Sequence, residues 1–146
     1  MEDKNKVDGK LTILAVDDSS ISLATIEQEF KGTYEVVALN SGTRALQYLK
    51  QQPQPDLILL DVQMAPKDGI ETLREIREME KCAEIPVIML TSQREKQTIV
   101  ESSKLGINDY VLKPFKTQDL HDRIERVLKA EMEKRMESRG KCQSNF

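Results

Sequence analysis

The sequence contains no tryptophan, one histidine, and three residues each of Phe and Tyr. Any core must therefore be aliphatic rather than aromatic. Its two cysteines, Cys82 and Cys142, stand apart in no CxxC or CxxH arrangement, which excludes a disulfide framework and a zinc site as organising features. The longest bare apolar run, Leu57 to Leu60, is far too short to cross a bilayer. The opening residues, Met1-Glu2-Asp3-Lys4, begin no apolar stretch, so no signal peptide is expected and the location should be cytoplasmic. Neither sign of charge dominates: 22 Lys and Arg face 25 Asp and Glu, for a net charge of −3. That balance points away from nucleic acid and from a membrane surface as partners. At 146 residues the chain has room for one domain, and such a domain buries roughly two-thirds of its unfolded surface without a covalent staple.

What is present is an alternation of apolar runs and helix-period segments. Leu11 to Val16, Tyr34 to Leu39, Leu57 to Leu60, Pro86 to Leu90 and Tyr110 to Leu112 read as five strands. The middle runs lack polar alternation, as suits strands buried on both faces of a parallel sheet. Between them lie five helices. The first carries Ile21, Ala24, Ile26 and Phe30 after an N-cap at Ser19 or Ser20, and the second follows an N-cap at Ser41 with Ala45, Leu46 and Leu49. Pro53 and Pro55 end the second helix. The third shows Ile70, Leu73, Ile76 and Met79, the fourth spans Glu95 to Leu105, and the last carries Leu120, Ile124, Val127 and Leu128. Strict alternation predicts an α/β fold with helices on both faces of a parallel sheet. Residues 1–10 read as a tail, 11–130 as the folded domain, and 131–146 as a helix extension and tail.

In such sheets ligands bind beyond the carboxyl ends of the strands. There the first strand delivers Asp17 and Asp18, the third Asp61, the fourth Thr91 and the fifth Lys113. Three carboxylates in one place repel, and require either raised pKa values or a cation. An all-oxygen donor set favours a hard ion, best Mg²⁺. A lysine and a hydroxyl beside it suit a transferring phosphoryl group, and a carboxylate can itself be the nucleophile. Asp61, on the central strand, is the natural acceptor.

The set Asp17-Asp18, Asp61 within Leu59-Leu60-Asp61-Val62-Gln63-Met64, Thr91-Ser92 and Lys113-Pro114-Phe115 resembles the receiver domain of two-component response regulators, over roughly residues 11–128. The resemblance implies a flavodoxin-like (βα)5 fold with strand order 2-1-3-4-5. It implies phosphoryl transfer to Asp61 from a histidine kinase or phosphotransferase, with Mg²⁺ as cofactor and Mn²⁺ as a substitute. Asp18 and Asp61 would ligate the metal directly, Asp17 through water, and Gln63 through its backbone carbonyl. Thr91 would hydrogen-bond the phosphoryl group and Lys113 would pair with it. Lys113-Pro114 falls where the family carries a cis peptide bond, and Tyr110 where it has a switch aromatic. Gln63 and Gln93 would border the path of the hydrolytic water. The signal would leave through residues 95–126, whose Lys96, Lys104, Asp109, Lys116 and Asp119 are mixed in sign, toward a protein partner or a second copy.

One stretch departs from the family pattern. Pro66 in Met64-Ala65-Pro66-Lys67-Asp68-Gly69 comes one place late, while Asp68-Gly69 stays in register. A slightly altered loop path that keeps the Gln63 carbonyl in place is expected. Each feature alone has a plainer explanation. Asp17-Asp18 and Thr91-Ser92 could cap helices, Lys113 could be a surface lysine, and His121 a solvated surface histidine. Joint occurrence at successive strand ends favours the functional reading. A phosphatase of the haloacid-dehalogenase type also uses an aspartyl phosphate, but such enzymes resemble Asp-x-Asp, and position 63 is Gln. A turnover enzyme is therefore not expected, nor an output domain within this chain. Met132 and Met136 continue Leu128 at four-residue steps, so the last helix should outrun the globular body, with too few apolar rows for a coiled coil.

Overall fold

The computed structural model describes residues 10–51, 53–64, 67–91 and 96–144, with side chains described except at 96–99 and 138–144. Five strands, β1 (Thr12–Val16), β2 (Glu35–Leu39), β3 (Leu57–Asp61), β4 (Val87–Thr91) and β5 (Asp109–Leu112), form one sheet in the order β2-β1-β3-β4-β5. All four pairings are parallel. The helices are α1 (Ser20–Phe30), α2 (Gly42–Gln51), α3 (Gly69–Glu78), α4 (Lys96–Leu105) and α5 (Thr117–Ser144). A 3₁₀ turn, Glu80–Cys82, follows α3. This is the flavodoxin-like arrangement with its expected strand order.

The unalternated apolar runs are explained by two cores, one on each face of the sheet. Successive strand side chains point to opposite faces. Ile13, Ala15, Leu57, Leu59, Ile88 and Leu90 therefore pack with Leu23, Ile26 and Phe30 of α1 and Leu120, Ile124 and Leu128 of α5. Leu14, Val16, Ile58, Leu60, Val87 and Met89 pack on the other side with Ala45 and Leu49 of α2 and Leu73 and Ile76 of α3. Both faces are covered, so polar alternation would have been destabilising. The outer strand β2 is only partly buried.

Local signals behave as their chemistry demands. Ser19 caps α1, its hydroxyl accepting from the Ser22 amide, and Ser41 does the same for the Arg44 amide. Asp68 caps α3 by accepting from the Glu71 amide at 2.8 Å. Arg77 binds the far end of the sheet, its guanidinium donating to the carbonyls of Cys82, Ala83, Ile85 and Gly106. Burial against these groups lowers its pKa.

Three expectations are corrected. Ile21 does not face the core; it is 78 % exposed, while Leu23 takes the buried position of α1. Leu23, Ile26 and Phe30 keep helical spacing, and Ile21 lies about 200° around the helix from Leu23. His121 is half-buried rather than fully solvated. Its ring lies 5.4 Å from Phe30 and 6.4 Å from Tyr34, centroid to centroid, and its Nδ1 is buried 3.8 Å from a Glu125 carboxylate oxygen. Tyr34 is buried against this cluster, before β2 begins. The strand boundaries differ from the expected ones by one residue at most, and Glu95, the expected start of the fourth helix, lies outside the described residues.

Candidate phosphoacceptor site

Each site residue is placed by a backbone device at the carboxyl edge of the sheet. The Asp17 amide donates to the Leu39 carbonyl, and the Val62 amide to the Leu90 carbonyl. The Lys113 amide donates to the Thr91 carbonyl at 2.7 Å, tying the end of β5 to the end of β4. The chain leaving β3 then folds back on itself, with the Gly69 amide donating to the Val62 carbonyl at 2.8 Å. A Cβ at Gly69 would stand 2.1 Å from the Asp61 carbonyl oxygen and 2.8 Å from the Val62 Cα. Only glycine permits the start of α3 to lie this close behind Asp61. That contact gives the Asp68-Gly69 motif its physical reason.

These devices bring Asp17, Asp18 and Asp61 together, with one carboxylate oxygen from each within 4.8 Å of the others. Asp17 and Asp61 are buried, and Asp18 is exposed at the rim. The Lys113 ammonium lies 2.5 Å from an Asp17 oxygen and 3.5 Å from an Asp61 oxygen. The second Asp17 oxygen accepts from the Ser19 amide at 2.9 Å. Thr91 is buried at the end of β4. The Lys113–Pro114 peptide is cis.

Burial, followed by repulsion from Asp17, pushes the Asp61 carboxyl up to about 7, against the opposing pull of Lys113 and a backbone hydrogen bond at Gln63. Among the described residues, the site thus holds more carboxylate than the one lysine beside it compensates. All three acidic donors are hard oxygens, so a divalent hard cation fits the charge and the chemistry of the set. Between them, the carboxylates and the ammonium can hold a cation and receive an anion.

Tyr110 is 40 % exposed on the outer strand β5. Its carbonyl accepts from Arg123, which also pairs with Asp109 at 2.8 Å and Asp119 at 3.2 Å. Gln63 is exposed beside Asp61. Gln93, Ser92, Pro66 and the Lys96 side chain lie outside the described residues. Two site features escape motif reasoning. One is the pairing of Lys113 primarily with Asp17 rather than with Asp61. The other is a groove of about 330 Å³ flanked by Ile21, Ser22, Thr25, Lys113, Pro114 and Phe115. Its only sequence signal is an apolar residue out of phase with the buried face of α1.

Comparison with known proteins agrees with this arrangement. Residues 13–125 match the response regulator receiver domain family. The two-component response regulator ORR5 of Oryza sativa subsp. japonica is 34% identical over 118 residues, covering 80% of this chain and 88% of that protein. The transcriptional regulatory protein ZraR of Escherichia coli (strain K12) is 37% identical over 119 residues, 81% of this chain, but the match spans only 26% of that longer protein. Among solved structures, chemotaxis protein CheY4 of Vibrio cholerae superposes with a TM-score of 0.77 at 27% identity, covering 82% of this chain and 99% of its own. With the sheet order, the acidic cluster and the matched residues in agreement, this chain belongs to the response regulator receiver domain family.

Proposed function

We propose that this chain is a phosphorylation-controlled interaction module, in which Asp61 accepts a phosphoryl group from a histidine kinase or phosphotransferase. The observation that carries the reading is the placement of Asp61, buried at the end of the central strand beside Asp17 and Lys113. An Asp61 oxygen forms the new O–P bond as the donor's P–N bond breaks and its imidazole leaves. Lys113, already beside Asp61, pairs with the incoming oxygens, and the Thr91 hydroxyl follows them. Asp18, Asp61 and the Gln63 carbonyl would hold Mg²⁺, with Mn²⁺ as a substitute. Asp17, engaged by Lys113 and the Ser19 amide, suits a role through water. The cation supplies positive charge that offsets the carboxylates and the phosphoryl oxygens together. The exposed Ile21 beside the groove near Lys113 offers a protein donor an apolar contact next to the acceptor.

Incubation with a small phosphodonor and Mg²⁺ is expected to add one phosphate per chain, labile to hydroxylamine, and EDTA is expected to prevent it. Uptake that persists in EDTA, or a phosphate stable to hydroxylamine, would contradict the proposal.

The aspartyl phosphate is lost slowly to water, and no external substrate is turned over. Gln63 and Gln93 are neutral amides that can orient a water but cannot serve as a strong base. Gln63→Ala and Gln93→Ala are expected to change the rate of phosphate loss while leaving Mg²⁺ affinity within about twofold, as followed by phosphate release and metal titration. Unchanged release rates in both variants would remove these residues from the hydrolytic path.

The output runs through residues 95–126. Movement of Thr91 toward the phosphoryl group vacates space for Tyr110, whose ring turns inward and remodels the surface of β5 and the start of α5. A shallow groove of about 770 Å³ there is bordered by Tyr110, Leu112, Phe115, Lys116, Asp119 and Arg123. Its mixed charge suits a protein partner rather than nucleic acid. Thr91→Ala and Tyr110→Ala proteins that still bind beryllofluoride are expected to lose its effect on partner binding or association. A full response in both would place the switch elsewhere.

A further inference from the structure

Among the described residues, the exposed large apolar side chains fall into three groups: Ile21 on α1, Val100 with Tyr110 and Leu112 around α4 and β5, and Met132 with Met136 on α5. The first two adjoin the phosphoacceptor end or the proposed output surface. The third has no place in either. Leu128, Met132 and Met136 follow at four-residue steps and form one row along the helix. With Leu11, Asp56, Glu131 and Arg135 this row borders a groove of about 250 Å³. Leu11 directly precedes β1 and Asp56 directly precedes β3. The groove therefore opens at the amino end of the sheet, one strand length, roughly 17 Å, from the edge that carries Asp17 and Asp61.

We propose that this groove receives α5 of a second copy, giving a twofold dimer whose formation is independent of the phosphoryl state. An isologous contact sets a patch against itself, so the patch must carry an apolar centre and charges of both signs. This one does: Met132 and Met136 are flanked by Glu131 and Arg135, one turn apart and opposite in charge. An antiparallel crossing centred near Glu133 sets Glu131 across from Arg135 of the second copy, and the reverse contact follows by symmetry. Rows of i±4 spacing pack into one another at a crossing angle of about 50°, which needs only one such row per helix and no heptad repeat. The acidic Asp56 and Glu131 on the walls also complement the basic Arg135 brought in by the second helix. The dimer stands or falls separately from phosphoryl transfer, since no site residue takes part in it.

Sedimentation equilibrium of the full chain, over about 10 µM to 1 mM where small interfaces assemble, tests the proposal with and without Mg²⁺ and beryllofluoride. A monomer–dimer equilibrium is expected whose dissociation constant is unchanged by beryllofluoride. Met132→Glu combined with Met136→Glu is expected to raise that constant at least about 100-fold, because the contact would bury unpaired charge. Met132→Leu combined with Met136→Leu is expected to keep the dimer. Circular dichroism and beryllofluoride binding should be alike in all three proteins. A parent that stays monomeric throughout, a dimer that survives the glutamates, or one that forms only with beryllofluoride would overturn the proposal.

Discussion

Asp61→Asn is expected to abolish phosphoryl uptake and, in the metal-free protein, to raise stability at neutral pH. The first follows from loss of the nucleophilic carboxylate, the second from the protonation of that carboxyl in the folded protein. Burial and the neighbouring Asp17 lift the folded-state pKa of Asp61 to about 7, far above the ordinary carboxylate value near 3.8. The folded protein therefore holds a proton that the unfolded chain releases. Stability is unaffected by this group below about pH 4, falls as pH rises toward 7, and stays low above it. At about 1.4 kcal/mol per pKa unit, the full penalty is roughly 4 kcal/mol. Asn removes it while keeping a hydrogen-bonding amide beside Asp17. Urea unfolding in EDTA should show Asp61→Asn more stable than the parent by about 2–4 kcal/mol at pH 8, with the difference gone near pH 4. Mg²⁺ should narrow the gap at pH 8, because it stabilises the ionised parent by mass action. A parent as stable as the variant at pH 8 in EDTA would mean that the carboxylates are compensated without a cation.

The second large effect is expected at Gly69. An alanine Cβ there meets the Asp61 carbonyl oxygen at 2.1 Å and the backbone of Val62 at 2.8 Å. Neither neighbour is the free end of a flexible side chain, so relief requires the end of β3 or the start of α3 to move. Gly69→Ala should cost roughly 3 kcal/mol, the upper part of the range for overpacking. It should also slow phosphoryl uptake, since the displaced carbonyl belongs to the acceptor residue. Gly32→Ala is the control: nothing lies within 4 Å of a Cβ at that position, and its effect should stay within about 0.5 kcal/mol. Equal unfolding midpoints for the two variants would show that the β3–α3 contact is slack.

Much of this architecture was legible because local chemistry and tertiary position coincide. A bare apolar run such as Leu57 to Leu60 has few options besides a strand covered on both faces, and the following Asp61 then falls at the functional edge. Asp68 and Gly69 were readable only as a family motif in register; their physical reasons, a cap on α3 and a place that no side chain can occupy, come from the three-dimensional contacts. Features set by three-dimensional packing were less accessible. Ile21 is apolar and lies within a helix, yet the phase of α1 is set by Leu23, Ile26 and Phe30 against the sheet, which leaves Ile21 outside. His121 lies in a helix crowded with charges, and only the docking of α5 beside α1 places its ring against Phe30 and Tyr34. The preference of Lys113 for Asp17 over Asp61 is likewise a matter of ångströms between strand ends, not of spacing along the chain.

The most direct measurement is the position of the phosphate itself. After phosphorylation by a small phosphodonor with Mg²⁺, borohydride reduces an aspartyl phosphate to homoserine, and peptide mass spectrometry locates the reduced residue. Homoserine is expected at position 61 alone, in a yield that follows phosphate uptake, and absent when EDTA is present. Homoserine at Asp17 or Asp18, or phosphate on a hydroxyl side chain with Asp61 intact, would contradict Asp61 as the acceptor.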